Sequence, residues 1–98
     1  MTPHQTQQRG IEAQRIIDSE VFAEALRMLD AQIVQQWKDT PVTDQQQQLL
    51  LLQLSKSKDK FVAILHGLIA TGSIATRQIN IDSERNESKA RQFFRRVA

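Results

Sequence analysis

The stretch from Thr43 to Gly72 constrains the fold more than any other part of this chain. It opens on a cap signal, runs through Gln45-Gln46-Gln47-Gln48 and Leu49-Leu50-Leu51-Leu52, and closes with a second apolar half from Phe61 to Ile69. Read as one helix of about 42 Å, at roughly 1.5 Å per residue, it is the only segment long enough to organise a core. At about 100° per residue Leu50, Leu54, Phe61, Ile64, Leu65 and Leu68 share one face, with Leu51, Val62 and Ile69 at its margin. Ser57 lies within that face and Lys58 near its edge, so the apolar contact thins at mid-helix. The start reads as a capping box, with Thr43 serving the backbone at Gln46 and the Gln46 side chain reaching back. Thr71-Gly72 reads as the C-cap, because glycine takes the left-handed conformation at no steric cost.

A second helix precedes it. Phe22, Leu26, Leu29, Ile33 and Trp37 fall at steps of four, three, four and four, which predicts a helix from Glu20 to Lys38 whose core stripe includes Trp37. Asp18-Ser19-Glu20 supplies its N-terminal punctuation, and Pro41 biases Thr40 out of the helical region and ends it. So short a connection makes the two helices antiparallel neighbours. The expected class is all-α: an antiparallel helical hairpin, about 20–38 and 44–71, with a short N-terminal helix from Gln8 to Ile17 and a basic C-terminal helix or arm.

One domain is expected over residues 1–98, divided into a loose lead-in (1–7), a helical core (8–72) and a basic tail (73–98). Within the tail, Arg77 to Ile81 alternates like a strand with nothing to pair with, so an arm ordered by a partner, or an irregular link, is expected there. Asp82-Ser83-Glu84 then caps a last helix from Glu84 to Val97.

Composition fits a helical reading. Gln is over-used at 14 residues, Tyr and Cys are absent, and there are only three Gly and two Pro. The absence of cysteine excludes a disulfide framework and thiolate metal sites. Met1 to Gly10 has no apolar signal-like run, and no stretch approaches the roughly 18 apolar residues of a membrane span, so a soluble chain without a membrane partner is expected. Net charge is +2, distributed as −1 over residues 1–20, −1 over 21–43, +1 over 44–72 and +3 over 73–98.

Catalytic chemistry finds little support. His4 and His66 lack a carboxylate or second histidine at ligand spacing, there is no G-x-S-x-G, and no glycine-rich loop opens a helix to cradle phosphate. No enzyme activity, cofactor or metal is expected, and His66 reads as structural or solvated.

Partner contacts are better supported. Leu49 and Leu52 point away from the predicted core face, where a monomeric hairpin would leave both exposed. The tail Lys89-Ala90-Arg91-Gln92-Phe93-Phe94-Arg95-Arg96 admits three readings: docking of Phe93 and Phe94 into a groove, contact of Lys89, Arg91, Arg95 and Arg96 with phosphates, or folding back on its own hairpin. Docking is favoured, since Glu84 and Glu87 dilute the basic patch. Leu49, Leu52, Phe93 and Phe94 are the candidate partner-binding residues.

Arg9-Gly10-Ile11-Glu12-Ala13, Ile16-Ile17-Asp18-Ser19-Glu20-Val21-Phe22, Trp37-Lys38-Asp39-Thr40-Pro41 and Leu65 to Ala75 together resemble small all-helical proteins encoded in tailed-bacteriophage genomes. The resemblance covers roughly residues 9–75 and is a pattern of helix punctuation without a catalytic signature. It implies a viral origin and three roles. The first is a non-enzymatic structural or assembly protein, working as a homo-oligomer or on a larger virion protein. The second is a small DNA-packaging subunit, resembling small terminase proteins, that meets DNA or the packaging motor. The third is a stoichiometric inhibitor of a host defence enzyme. The implied location is the host cytoplasm during infection or the virion.

Overall fold

Three helices account for this computed structural model: α1 (Pro3–Asp18), α2 (Glu20–Asp39) and α3 (Gln45–Val97). The structure describes the backbone of residues 1–97 and, within α3, every side chain except those of Phe94, Arg96 and Val97. The class is all-α, with no strand among the described residues.

Each helix start has a physical cause in the sequence. The Thr2 hydroxyl accepts from the Gln5 backbone N–H at 3.2 Å and the Gln5 side-chain Oε1 accepts from the Thr2 N–H at 3.1 Å, a reciprocal cap followed by Pro3 in the first turn. Residues 1–7 are therefore no loose lead-in; helix begins at Pro3. Between α1 and α2 the single residue Ser19 is extended, at φ −67° and ψ 125°, and it serves both neighbours. Its N–H bonds back to the Ile16 carbonyl at 3.2 Å while its hydroxyl accepts from the Phe22 N–H at 3.3 Å, closing α1 and capping α2. The cap of α3 is Asp44 rather than Thr43: its carboxylate accepts from the Gln47 N–H at 3.1 Å. Gln48, not Gln46, reaches back, donating to the carbonyls of Pro41 and Val42 at 3.3 Å each.

The largest departure from expectation is that α3 does not end at Gly72. No glycine has positive φ, and the Thr71 hydroxyl donates to the Gly67 carbonyl at 2.8 Å within a continuing helix. Residues 73–81 are helical, so the strand-like alternation of Arg77 to Ile81 is incidental, and no separate C-terminal helix begins at Glu84. The 20–38 and 44–71 pairing with a detached tail is replaced by a different plan, in which α1 and α2 succeed one another along a single long α3.

Their direction follows from the contacts. Gln7 donates to Thr76 at 3.1 Å, Gly10 abuts Gly72, Phe22 meets Phe61 with ring centroids 6.4 Å apart, and Asp30 pairs with Lys58. Residue numbers rise on one side as they fall on the other, so both short helices run antiparallel to α3. The contact line on α3 is Gln48, Leu51, Ser55, Lys58, Val62, Leu65, Ile69, Gly72, Thr76 and Ile79, all buried or half-buried and spaced by alternating steps of three and four. That alternation is the coiled-coil repeat, which keeps one seam facing its partner over many turns.

This is not the face expected from apolar density. Leu51 and Leu65 are buried, but Leu50, Leu54, Phe61, Ile64 and Leu68 stand exposed. Beyond Leu68 the richest apolar stripe passes through Thr71, Ala75, Gln78 and Asp82, of which only Ala75 is apolar, whereas the observed seam stays in phase to Ile79. A partner as long as α1 and α2 together needs the seam that lasts.

Gly72 earns its place in that seam by what it lacks. A Cβ on Gly72 would fall 2.8 Å from the Gly10 Cα, and one on Gly10 would fall 2.9 Å from the Gly72 Cα and 3.0 Å from the Leu68 carbonyl oxygen. The two backbones touch directly. Flanking this point, Ala13 and Ala75 are buried small residues that permit the same close approach.

The resulting molecule is a slab of 84 × 25 × 14 Å, two helices wide and one thick. Its radius of gyration is 23.0 Å, against about 13 Å for a compact chain of this length. From Ile81 to Phe93 every described residue is exposed, since α1 begins too late to cover that end of α3.

Glycine replacements test the close approach by sign. Ala ordinarily improves a helix interior by roughly 0.5–1 kcal/mol over Gly. Gly67→Ala, with nothing within 4 Å of the added carbon, is expected to stabilise by about that amount. Gly10→Ala and Gly72→Ala are expected to destabilise by about 1–3 kcal/mol, as overpacking against backbone does. Denaturant midpoints of the three variants measure this, and a stabilised Gly72→Ala would contradict the packing.

Candidate interaction site

Where α2 and α3 approach their connecting loop, the seam opens into a groove of about 500 Å³. Ile33 and Leu51 form its floor and are buried; Val34, Trp37, Leu49 and Leu52 form its walls, with Gln45, Gln48 and Ser55 at the rim. Trp37 is 57% exposed, so it is not the core residue its spacing predicts. The stripe Phe22, Leu26, Leu29, Ile33 lies on the seam, but the next step of four rotates Trp37 to the flank. Leu49 and Leu52, 55% and 51% exposed, stand on the same flank as Trp37. An exposed Trp beside two exposed Leu in a concave setting is the composition of a docking surface, because large apolar side chains at a groove release the most water per contact.

The other predicted contact residues lie elsewhere. Phe93 is exposed near the far end of α3, about 60 Å along the helix from Leu52 at roughly 1.5 Å per residue. Leu49 and Leu52 therefore form no common site with it. Lys89, Arg91 and Arg95 are exposed on the same uncovered stretch; Arg91 and Arg95, four residues apart, share one face, and Lys89 lies off it. The side chains of Phe94 and Arg96 lie outside the described residues.

One feature that the sequence marked only as a weakness is Lys58. It occupies a seam position, its side chain only 14% exposed, and its ammonium group pairs with Asp30 on α2 and with Asp59 at 2.8 Å. The hydrogen bond to Asp30, with a second from Asp59, raises the lysine pKa above its ordinary 10.5, outweighing the opposing effect of desolvation. A buried apolar residue here would be indifferent to register along the seam; a paired lysine is not. The signal was present in the sequence as a charge at a three-four position opposite Asp30, but recognising it required the true seam.

His4 and His66 are both exposed. Among the described residues no group of three His, Asp or Glu side chains converges as a metal site, and no helix is long and apolar enough to cross a membrane.

Two outcomes check this geometry. Trp37→Ala is expected to cost about 1 kcal/mol in denaturant unfolding, well below the roughly 3–5 kcal/mol of a buried aromatic. Lys58 binds its proton more tightly folded than unfolded, so its contribution is complete below its unfolded pKa and is lost as pH rises through the higher folded value. Wild-type stability should thus fall above about pH 10.5, and Lys58→Met should lose part of that alkaline decline. Parallel pH profiles for the two proteins would remove the pairing.

Set against family models, curated proteins and solved structures, the chain matches none of them.

Proposed function

We propose that this chain is a non-enzymatic assembly protein acting through protein–protein contacts, of the structural kind that its resemblance to small helical phage proteins implies. The observation that carries the reading is the groove walled by Trp37, Leu49 and Leu52 on a slab one helix thick. Three large apolar side chains are held half in water by the fold itself. Burying apolar area of this kind gains about 25 cal/mol per Å², which a complementary helix or loop of a larger partner supplies. The rod shape suits a spacer or strut, since its ends are separated by 84 Å and different partners can engage each.

The test is stoichiometric presence in a particle. The wild-type chain is expected to co-purify with phage particles from an infected culture, while Leu49→Asp combined with Leu52→Asp keeps its helical circular dichroism and is lost from them. A chain that stays free in the lysate and is absent from particles would overturn this reading.

A further inference from the structure

A second apolar surface lies on the opposite side of the slab from the groove, and α1 and α2 touch it only at its edge, at Leu68 and Phe61. It is the stripe expected to be the core, apart from the buried Leu65: Leu50, Leu54, Phe61, Ile64 and Leu68, with Ser57 between. Leu50 is 60% and Ile64 55% exposed. Phe61 reaches Phe22 at the edge of the seam on this side, and Met28, two turns further along α2, is exposed there as well. Between Leu50 and Gln78 this stripe carries no charge.

We infer that a second copy of this chain covers the stripe, packing α3 against α3 in an antiparallel, two-fold symmetric dimer whose axis lies level with Asp59. Two independent observations choose that occupant. The first is area. A folded monomer of 11.2 kDa exposes about 5,700 Å² by the usual size scaling, and this chain exposes 8136 Å². The excess of about 2,400 Å² is roughly three times the 800 Å² per partner that a standard dimer interface requires.

The second is the sequence of the stripe, which reads alike from both ends. Its steps are four, three, four, three, four, so the stripe is itself a coiled-coil seam. Inverted about Asp59, Leu50 meets Leu68, Leu54 meets Ile64, and Ser57 meets Phe61, the small residue facing the large one. Every layer then contains an apolar side chain on both helices or a small side chain opposite an aromatic ring. Asp30 reaches Lys58, so Met28 stands near the same level and close to the axis. Near the axis Lys58 and Lys60 flank the stripe on its two sides; Lys58 is already paired with Asp30 and Asp59, and the Lys60 stem is long enough to carry its ammonium group out to water. A heterologous partner would have no reason to match a stripe with inversion symmetry.

This deepens the protein–protein reading above by naming the partner of one face, and it fails separately from it. Sedimentation equilibrium of the wild-type chain across 1–100 μM is expected to show a dimer. Ile64→Lys and Leu50→Lys should each weaken it about a hundredfold, since a substitution acts twice in a two-fold interface, with helical circular dichroism retained. Leu49→Asp with Leu52→Asp lies on the groove side and should leave the dimer unchanged. Because the chain has no cysteine, single nitroxide labels read the direction. In the antiparallel dimer the axial spacing between labels at Gln46→Cys is about 40 Å, while at Lys60→Cys the labels lie within about 20 Å. A wild-type chain monomeric at 100 μM, or a dimer indifferent to both lysine variants, overturns the proposal. Equal short distances at the two label sites overturn the antiparallel geometry and with it the symmetry argument.

Discussion

The direct contact between the Gly10 and Gly72 backbones is the constraint on which the rest of the structure depends. Where two helices touch at their main chains, their separation is set by atoms that cannot change rotamer, and neighbouring side chains must accept the spacing that results. At Gly72 this fixes which face of α3 turns toward α1. The coiled-coil repeat then carries the same face away in both directions, to Ile79 on one side and back through Leu65, Val62 and Leu51 to Gln48 on the other. Lys58 answers Gly72 from the far half of the molecule. Its pairing with Asp30 sets the register of α2 as the glycine contact sets that of α1.

A chain of this size folded into a slab one helix thick cannot hide its large side chains. Among the described residues those buried are Ala13, Ile33, Leu51, Leu65 and Ala75, with Gly10 and Gly72, a core mostly of small volume. Most of the big apolar side chains, Trp37 and Phe61 among them, are left on the two broad faces. Those faces differ in kind. One carries a concave groove near the loop with glutamine and serine at its rim; the other is a straight uncharged stripe.

The helices themselves were legible from the chain, and their limits partly so. Ser19 and Pro41 marked the breaks because each acts locally: a hydroxyl within reach of Phe22, a ring that excludes Thr40 from the helical region. The reciprocal cap of Thr2 and Gln5 was equally local and could have been found by the same rule applied to the first residues. Gly72 was misread for a reason local rules cannot address. A glycine near the end of an apolar run serves as a terminator or as a contact point, and the distinction lies in Gly10, some sixty residues away. Once Gly72 was taken as an end, the chain beyond it could not be seen as helix. The core face failed likewise, because apolar density locates the stickiest stripe of a helix and not the stripe that geometry can cover along its whole length. Of the partner-binding residues, Leu49 and Leu52 were identifiable by their angle on the helix. Trp37, which joins them, was concealed by a four-residue step that drifts off the seam after several turns.

Ser19 has a consequence for how the chain exchanges parts. A single extended residue separates two helices that cover different lengths of α3, and the contacts holding each are distinct: Gly10 and Gln7 for α1, Phe22 and Asp30 for α2. Such an arrangement divides into two cooperative units, so α1 can lift from α3 without dissolving the packing of α2. The strip it leaves bare, from Leu65 to Ile79, carries the glycine notch shaped for an α1, and the α1 of another molecule has the same shape, though the chain's own holds the advantage of its tether. Rotation at one residue thus suffices to turn an intramolecular clasp into a link between chains.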